Sequence, residues 1–499
     1  MAFWWLCFGC LAALLTTICI FLNRTYSHWA RRGVVHDKPV WTYGNLNQVG
    51  KSLSAVERFR NYYEKYKGKA PFGGFYFPFR EAAVLLDLDL VKLVMVKDFN
   101  NFAHRGNYSN ERDDPISAHL FNLDGHAWRD MRNKLTPTFT SLKMHQMLPI
   151  VLEIAERFML VMQKELDKHK GEEESPVEVK DLLARFTTDI IGSCAFGLDC
   201  NSLNDPKVEF RRMGNKTFTE RRHGRIVFSF IQSFPKFAKW LKLKTVRDDV
   251  SAFFRRVVRE TLDYRDRNHV QRKDFFNLLM ELRKDPNGGL SFNQIAAQAF
   301  VFFLGGFETS SSTMGFALHL LALHPEIQER GREEVQQVLS KHKQLNYEAL
   351  KELKYIKQIM YETLRKYSIA SILLRKTLED YPVPGTSYVL EAGTPIVIPV
   401  DAIHHDPDVY PEPDKFDPER FTPEAMEQRH AAAFLGFGAG PRNCIGLRFG
   451  EMQTLVGLAM LLKNFKFSPA KATEIPLQIN KSSVFLQSKG GIVLNVERV

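Results

Sequence analysis

Thirty consecutive residues, "IAAQAFVFFLGGFETSSSTMGFALHLLALH" from Ile295 to His324, carry one formal charge, Glu308. So apolar a run has to leave water, either across a membrane or through the middle of a folded body. The carboxylate at mid-run, followed by Thr309-Ser310-Ser311-Ser312-Thr313, argues against lipid, where such a charge costs ~2.5–3.5 kcal/mol. The run therefore predicts a long helix buried at the centre of a large domain, ending at Pro325. Gly305-Gly306 should weaken the helix at its middle, with hydroxyls just beyond able to bond the freed carbonyls. A buried helix loosened beside an acid and an alcohol makes Glu308 and Thr309 candidate reactive groups.

A second constraint is the loop "FLGFGAGPRNCIGLRFG", Phe434–Gly450. Its glycines can take positive φ and hold Cys444 in a fixed backbone, and Leu447–Lys463 reads as a helix directly behind. A helix N-terminus and a nearby cation, here Arg442, favour a thiolate. A small core cysteine needs no such backbone. A nucleophile, a redox switch and a metal ligand are all open to such a sulfur.

The other cysteines narrow the setting. Cys7, Cys10 and Cys19 lie in one apolar stretch, and Cys194 and Cys200 have no framework or zinc spacing, so a reducing compartment fits. That stretch, Trp4–Leu22, is nineteen residues without a charge, nearly enough to span a ~30 Å hydrocarbon core at ~1.5 Å per residue. It lacks the basic start of a cleaved signal peptide, and Arg24, Arg31 and Arg32 follow it. Residues 1–22 read as an uncleaved membrane anchor, 23–44 as a basic linker, and the positive-inside rule puts the remainder in the cytoplasm. The net charge of +11 is scattered, with no basic helix or zinc-finger spacing, which favours a membrane surface or an acidic protein partner over nucleic acid.

Residues 45–499 read as one domain, mainly α with a small β-rich part. "SAVERFRNYYEKYK" has helical amphipathic period and "AAVLLDLDL" reads as strand. From Leu123 to about Leu364 the pattern is helical, broken by a charged loop at Lys168–Pro176 and a Pro/Gly turn at Asp285–Gly289. Short strands return after Arg375. "FSFIQSFPKFAKWLK", Phe228–Lys242, reads as an amphipathic core helix or as a second membrane contact beside a substrate entrance.

Glu362 and Arg365 of "ETLR" are three apart and share a helix face. Together with "FGAGPRNCIG" and the Glu308–Thr309 pair, they make the chain resemble the cytochrome P450 family across essentially its whole length. The anchor and "FGLDCNSLNDP" are similar to the insect microsomal detoxification group, the sixth family.

That resemblance implies the cytochrome P450 fold with a central long helix, and haem b with Cys444 as the proximal thiolate on its iron. It makes Trp128, Arg132, Arg442 and Arg375 propionate contacts, with Arg105 of "FAHRG" a further candidate and Phe437 part of the haem motif. It makes Thr309 and Glu308 the proton-delivering pair, and Glu362, Arg365 and Arg420 a structural triad. The implied activity is a monooxygenase inserting one atom of O₂ into a lipophilic substrate, fed by NADPH–cytochrome P450 reductase and in some cases cytochrome b5, on the endoplasmic reticulum membrane. The other readings are a reductase-independent haem-thiolate isomerase and a non-catalytic haem sensor or carrier. Such isomerases commonly lack the acid–threonine pair present here, and a sensor would need neither that pair nor a basic docking face. That docking face is expected at Arg129, Lys134, Lys143 and Arg448. The chain departs from the family in having only Pro39 before Gly44, and Ser368-Ile369 where two prolines often follow "ETLRKY".

Overall fold

A computed structural model describes residues 1–286, 288–483 and 485–499. The expected turn at Asp285–Gly289 contains Asn287, which lies outside the described residues. The predicted central helix runs Phe292–Leu323 and is buried over most of its length. Ser291 starts it with a capping box: its hydroxyl accepts from the Gln294 N–H at 3.2 Å, and the Gln294 carboxamide accepts from the Ser291 N–H at 3.0 Å. Pro325 opens the next helix, Pro325–His342.

At Gly305-Gly306, where a weakening is expected, the helix stays α-helical. The carbonyls there take extra partners instead. Thr309 Oγ1 donates to Gly305 O at 2.5 Å, Gln453 Nε2 to Gly306 O at 3.1 Å, and Thr187 Oγ1 to Phe307 O at 3.0 Å. Gly306 also permits close packing: a Cβ there would lie 2.7 Å from Cδ1 of Ile191. The helix Val179–Ile191 can therefore lie directly against the central one. Leu447–Asn464, behind the cysteine loop, and Lys354–Lys366 pack on other faces.

A smaller core lies on a four-stranded sheet ordered Phe72–Phe77, Arg80–Leu85, Pro395–Ile398, Leu373–Lys376. Its middle pair is parallel and the outer pairs antiparallel. Pro176–Glu178, Val493–Arg498 and Phe465–Pro469 form an antiparallel three-stranded sheet. Only the first part of "AAVLLDLDL" is strand. Asp87 accepts from the Leu90 N–H at 2.8 Å and so caps a short helix, Leu88–Lys92.

The N-terminal apolar helix spans Ala2–Tyr26 and is long and apolar enough to cross a membrane, with Trp4, Trp5 and Phe8 exposed. It continues four residues past the expected anchor boundary at Leu22, and the segment read as a linker is docked on the body. Trp29 is 1% exposed, its indole donates to Phe75 O at 3.3 Å, and Arg32 pairs with Glu391. An exposed apolar patch lies beside this helix. Phe228–Lys242 is two helices, Arg225–Ser233 and Pro235–Trp240, broken at Pro235. Ile231 and Ala238 are buried, whereas Phe228, Phe237, Trp240 and Leu241 face out, and Phe234 lies 5.9 Å from Phe21 of the anchor helix, ring to ring.

Glu362 and Arg365 have no exposure and pair twice, at 2.7 and 2.8 Å. Arg365 also donates to the carbonyls of His404, Pro413 and Lys415, while Glu362 accepts the Asp417 N–H at 3.0 Å and has Arg420 at 3.6 Å. The pair thus gathers the irregular chain that leads into the cysteine loop. Glu362→Ala would leave two guanidiniums without their carboxylate in a dry site, a loss of about 3–5 kcal/mol. Thermal unfolding and pyridine-haemochrome assay should show a strongly destabilised protein that retains little haem; a stable, haem-replete variant would contradict the structural role.

Candidate active site

The cysteine loop begins where Gly438 and Gly440 adopt φ of +70° and +66°. At Gly440 any side chain would run into the Met95 carbonyl, so only glycine serves. The turn lets the Cys444 N–H donate to Phe437 O at 2.8 Å, and Phe437 in turn packs on Tyr361, 5.9 Å between rings. Cys444 is solvent-accessible although protein atoms surround it densely, and the helix Leu447–Asn464 starts three residues on.

Its electrostatics differ from expectation. Burial pushes the Cys444 thiol up, and the Gly446 N–H, Arg132 and Arg105 only partly oppose this. Arg442 is not the cation beside the sulfur. Its guanidinium is 4.2 Å above the Trp128 ring and donates to Ala103 O, Leu123 O and Asp124 Oδ1 at 2.5, 2.8 and 2.9 Å. A neutral thiol is the stable form until a metal cation replaces its proton.

Arg105, Arg132, Arg375 and Arg442 act on one another electrostatically with a single carboxylate, Asp124, among them. Burial and this mutual repulsion push Arg375 and Arg442 down to about 10, still cationic at neutral pH. Arg375 Nε and Arg442 Nη1 are buried without a hydrogen-bond partner among the described residues. Such donors are rare because each forfeits its hydration. A ligand with two carboxylates supplies both the missing acceptors and the missing negative charge, which is what the haem propionates offer. Arg132 is engaged differently from expectation: it donates to Asn443 O at 3.0 Å and Asn443 Oδ1 at 2.8 Å, bracing the cysteine loop itself. Arg105 donates to Phe121 O at 3.0 Å and Arg442 O at 3.1 Å.

On the central helix, Gly305 is open at mid-length, with nothing within 4 Å of a Cβ built there, and Thr309 lies one turn on along the same face. Glu308 is turned away from it. Its carboxylate is 3.0 Å from Lys180 Nζ and accepts from Ser312 Oγ at 2.9 Å. The acid and the alcohol are thus neighbours in sequence but face different elements.

Four contributors were invisible in the sequence. Asp124 accepts the Arg105 and Gly106 N–H groups as well as Arg442, and its position before a helix-opening glycine was the one available signal. Asn443, Lys180 and Gln453 gave none, because their partners are 131 to 311 residues away.

Comparison with known proteins agrees with this arrangement. A family model described as cytochrome P450 matches residues 36–495. The chain is 47% identical over 490 residues to a protein named probable cytochrome P450 6a14 of Drosophila melanogaster, covering 95% of this chain and 96% of that one. It is 46% identical to cytochrome P450 6a8 of the same fly with both chains covered in full, and 45% identical to cytochrome P450 6A1 of Musca domestica, covering 98% and 97%. The glycine-fixed cysteine, the arginines short of an anion and the likeness along nearly the whole chain lead to one conclusion: this chain belongs to the cytochrome P450 family of haem-thiolate monooxygenases.

Proposed function

We propose that the protein inserts one oxygen atom into lipophilic substrates, either xenobiotics such as insecticides and plant toxins or endogenous hormones and lipids, using NADPH–cytochrome P450 reductase as electron donor with cytochrome b5 as a second possible donor. The observation that carries this reading is the cysteine loop braced by Arg132 inside a buried arginine cluster that lacks its anion. When bound, the haem activates O₂ with the electron push of a thiolate. The chain's own residues do the rest. Cys444 is the iron ligand, and Arg375 and Arg442 offer their unpartnered N–H groups to the propionates, with Trp128 supporting Arg442 from below. Thr309 holds a proton at Oγ1, which must leave the Gly305 carbonyl to be passed on. Glu308 is the acid behind it.

Two apolar surfaces support a membrane location. The helix Ala2–Tyr26 anchors the chain in the endoplasmic reticulum membrane, with Arg24 and Arg31 holding the body on the cytoplasmic side. Phe228, Phe237, Trp240 and Leu241 dip into the same interface, bringing the body down onto the lipid where apolar substrates dissolve. Electrons arrive at the cysteine-loop side. There Arg129 and Arg448 are exposed and Lys143 half-buried, while Lys134 is engaged with Asp130 at 3.1 Å and the Gly288 carbonyl at 2.9 Å.

Cys444→Ser should leave a folded protein whose reduced carbonyl complex has lost the thiolate-type absorption band. Retention of that band with full turnover would remove Cys444 as ligand. In Thr309→Ala, NADPH consumption should persist while product falls, by up to the ~10²–10⁴-fold that acid–base groups contribute, and the electrons it no longer takes appear as peroxide; unchanged coupling would take Thr309 out of the reaction. Reversing the charges of Arg129, Lys143 and Arg448 together should slow reductase-supported turnover and flatten its salt dependence, because surface charges act mainly on association rate. Peroxide-driven turnover of the same variant serves as control and should be nearly untouched; equal loss in both assays would refute docking at this face.

A further inference from the structure

Three segments meet at the start of the exposed apolar patch through contacts between cations and backbone. Arg221 donates to the Ser482 carbonyl at 2.8 Å, and Lys481 donates to the Ser52 carbonyl at 2.7 Å. The Arg225 guanidinium packs on Gly50, whose φ is +72°; a Cβ there would collide with it. Lys51 sits between Gly50 and Ser52. Among the described residues no carboxylate pairs with Arg221, Arg225, Lys51 or Lys481, and the Arg225 guanidinium has no acceptor. The acids nearby in sequence are already taken. Glu220 lies 3.7 Å from Lys216 and 3.5 Å from Arg247, and Asp248 accepts from Arg222 and Lys244, each at 2.8 Å. Burial and the repulsion of Arg225 push the Arg221 guanidinium down from its usual range. Two arginines are thus held within reach of each other without an anion. The residues that follow decide which kind of anion fits. Ile226, Val227 and Phe228 are exposed and continue into the face that carries Phe237 and Trp240. Apolar side chains of an interfacial helix enter the lipid as far as the boundary between headgroups and acyl chains. The turn just before them then lies at the depth of the lipid phosphates, whose oxygens the guanidinium fork pairs two at a time.

We propose that Arg221 and Arg225, with Lys51 and Lys481 beside them, bind the phosphate of an anionic phospholipid. The headgroup joins the turn at Gly50, the loop before Arg225–Ser233 and the Lys481-Ser482 turn, while the acyl chains lie along Ile226, Val227 and Phe228. A choline headgroup is disfavoured, because its ammonium brings a further cation into a cluster that lacks an anion. Arg222 takes no part, since Asp248 already holds it. This rests on the reading of the exposed apolar patch as lying in the membrane interface.

The test uses the full-length haem-loaded protein in phosphatidylcholine vesicles and reads, by electron spin resonance, the motionally restricted fraction of a trace spin-labelled lipid. Spin-labelled phosphatidic acid should be restricted about threefold more than spin-labelled phosphatidylcholine. The preference should vanish in Arg221→Gln/Arg225→Gln. It should persist in Lys164→Gln/Lys170→Gln, an equal loss of charge at exposed lysines outside the patch. If the arginine double variant loses haem, Arg225→Gln alone is read, because that guanidinium holds no carbonyl. Equal restriction of both lipids by the wild-type protein would overturn the inference. So would an equal loss of preference in the two double variants, which is the mark of diffuse charge. Inorganic phosphate in place of chloride at matched ionic strength should leave the preference intact; if it erases the preference, the cluster is a site for free phosphate and the lipid assignment falls. A separate measurement tests the membrane reading: quenching of Trp240 by brominated phosphatidylcholine, taken as the difference from Trp240→Phe. Absence of quenching removes the interface and the site with it, whereas quenching without a lipid preference removes the phosphate site alone.

Discussion

Two opposite charges with no exposure, Glu362 and Arg365, organise the cysteine side of this protein. Taking them out of water is expensive, and a single ion pair does not recover that expense. Here each charge is saturated further, Arg365 by three carbonyls and Glu362 by a backbone N–H and Arg420. Three of the groups that saturate them, the carbonyls of Pro413 and Lys415 and the Asp417 N–H, come from an irregular stretch, flanked by the short helix Val400–His404 and the 3-10 turn Pro418–Phe421. The desolvated pair therefore acts as the substitute for regular secondary structure, and the cysteine loop inherits its position. His404 extends the same logic: its Nε2 accepts the Leu435 N–H at 2.9 Å and its Nδ1 meets Ser368 Oγ at 2.8 Å. Ser368, standing where the family often has proline, thus ties the end of Lys354–Lys366 to the start of the cysteine loop.

The arginine cluster inverts the usual rule that buried charge is balanced within the chain. Four guanidiniums face one carboxylate, and two of their nitrogens have no partner. Such an arrangement is sustainable only with an anion from outside the polypeptide, which makes cofactor binding and folding of this region one event. The thiol obeys the same logic, since burial favours its neutral form and a metal cation reverses the preference.

The central helix separates the two requirements of the chemistry. One face, at Gly305 and Thr309, is left open by the absence of a side chain on the glycine; another, at Glu308, is sealed against Lys180 and the serines.

Much of this was legible in the linear chain. The buried helix, its end at Pro325, the glycine-dependent turn at Cys444 and the Glu362–Arg365 spacing are local patterns, and local patterns are set by backbone geometry and by the need to bury apolar surface. That the helix stays regular through Gly305-Gly306, and that Arg442 turns away from the sulfur, could not be read locally because both depend on distant partners: Gln453 and Thr187 support the glycine region, and Asp124 and Trp128 draw Arg442 away. That the linker docks on the body was not legible, because the contact of Trp29 requires a sheet built from residues far along the chain. Residue types and their helical spacing thus decided which groups exist and which share a face. Only the packed structure decided which charge each one meets, because that depends on contacts between segments whose separation no local period encodes.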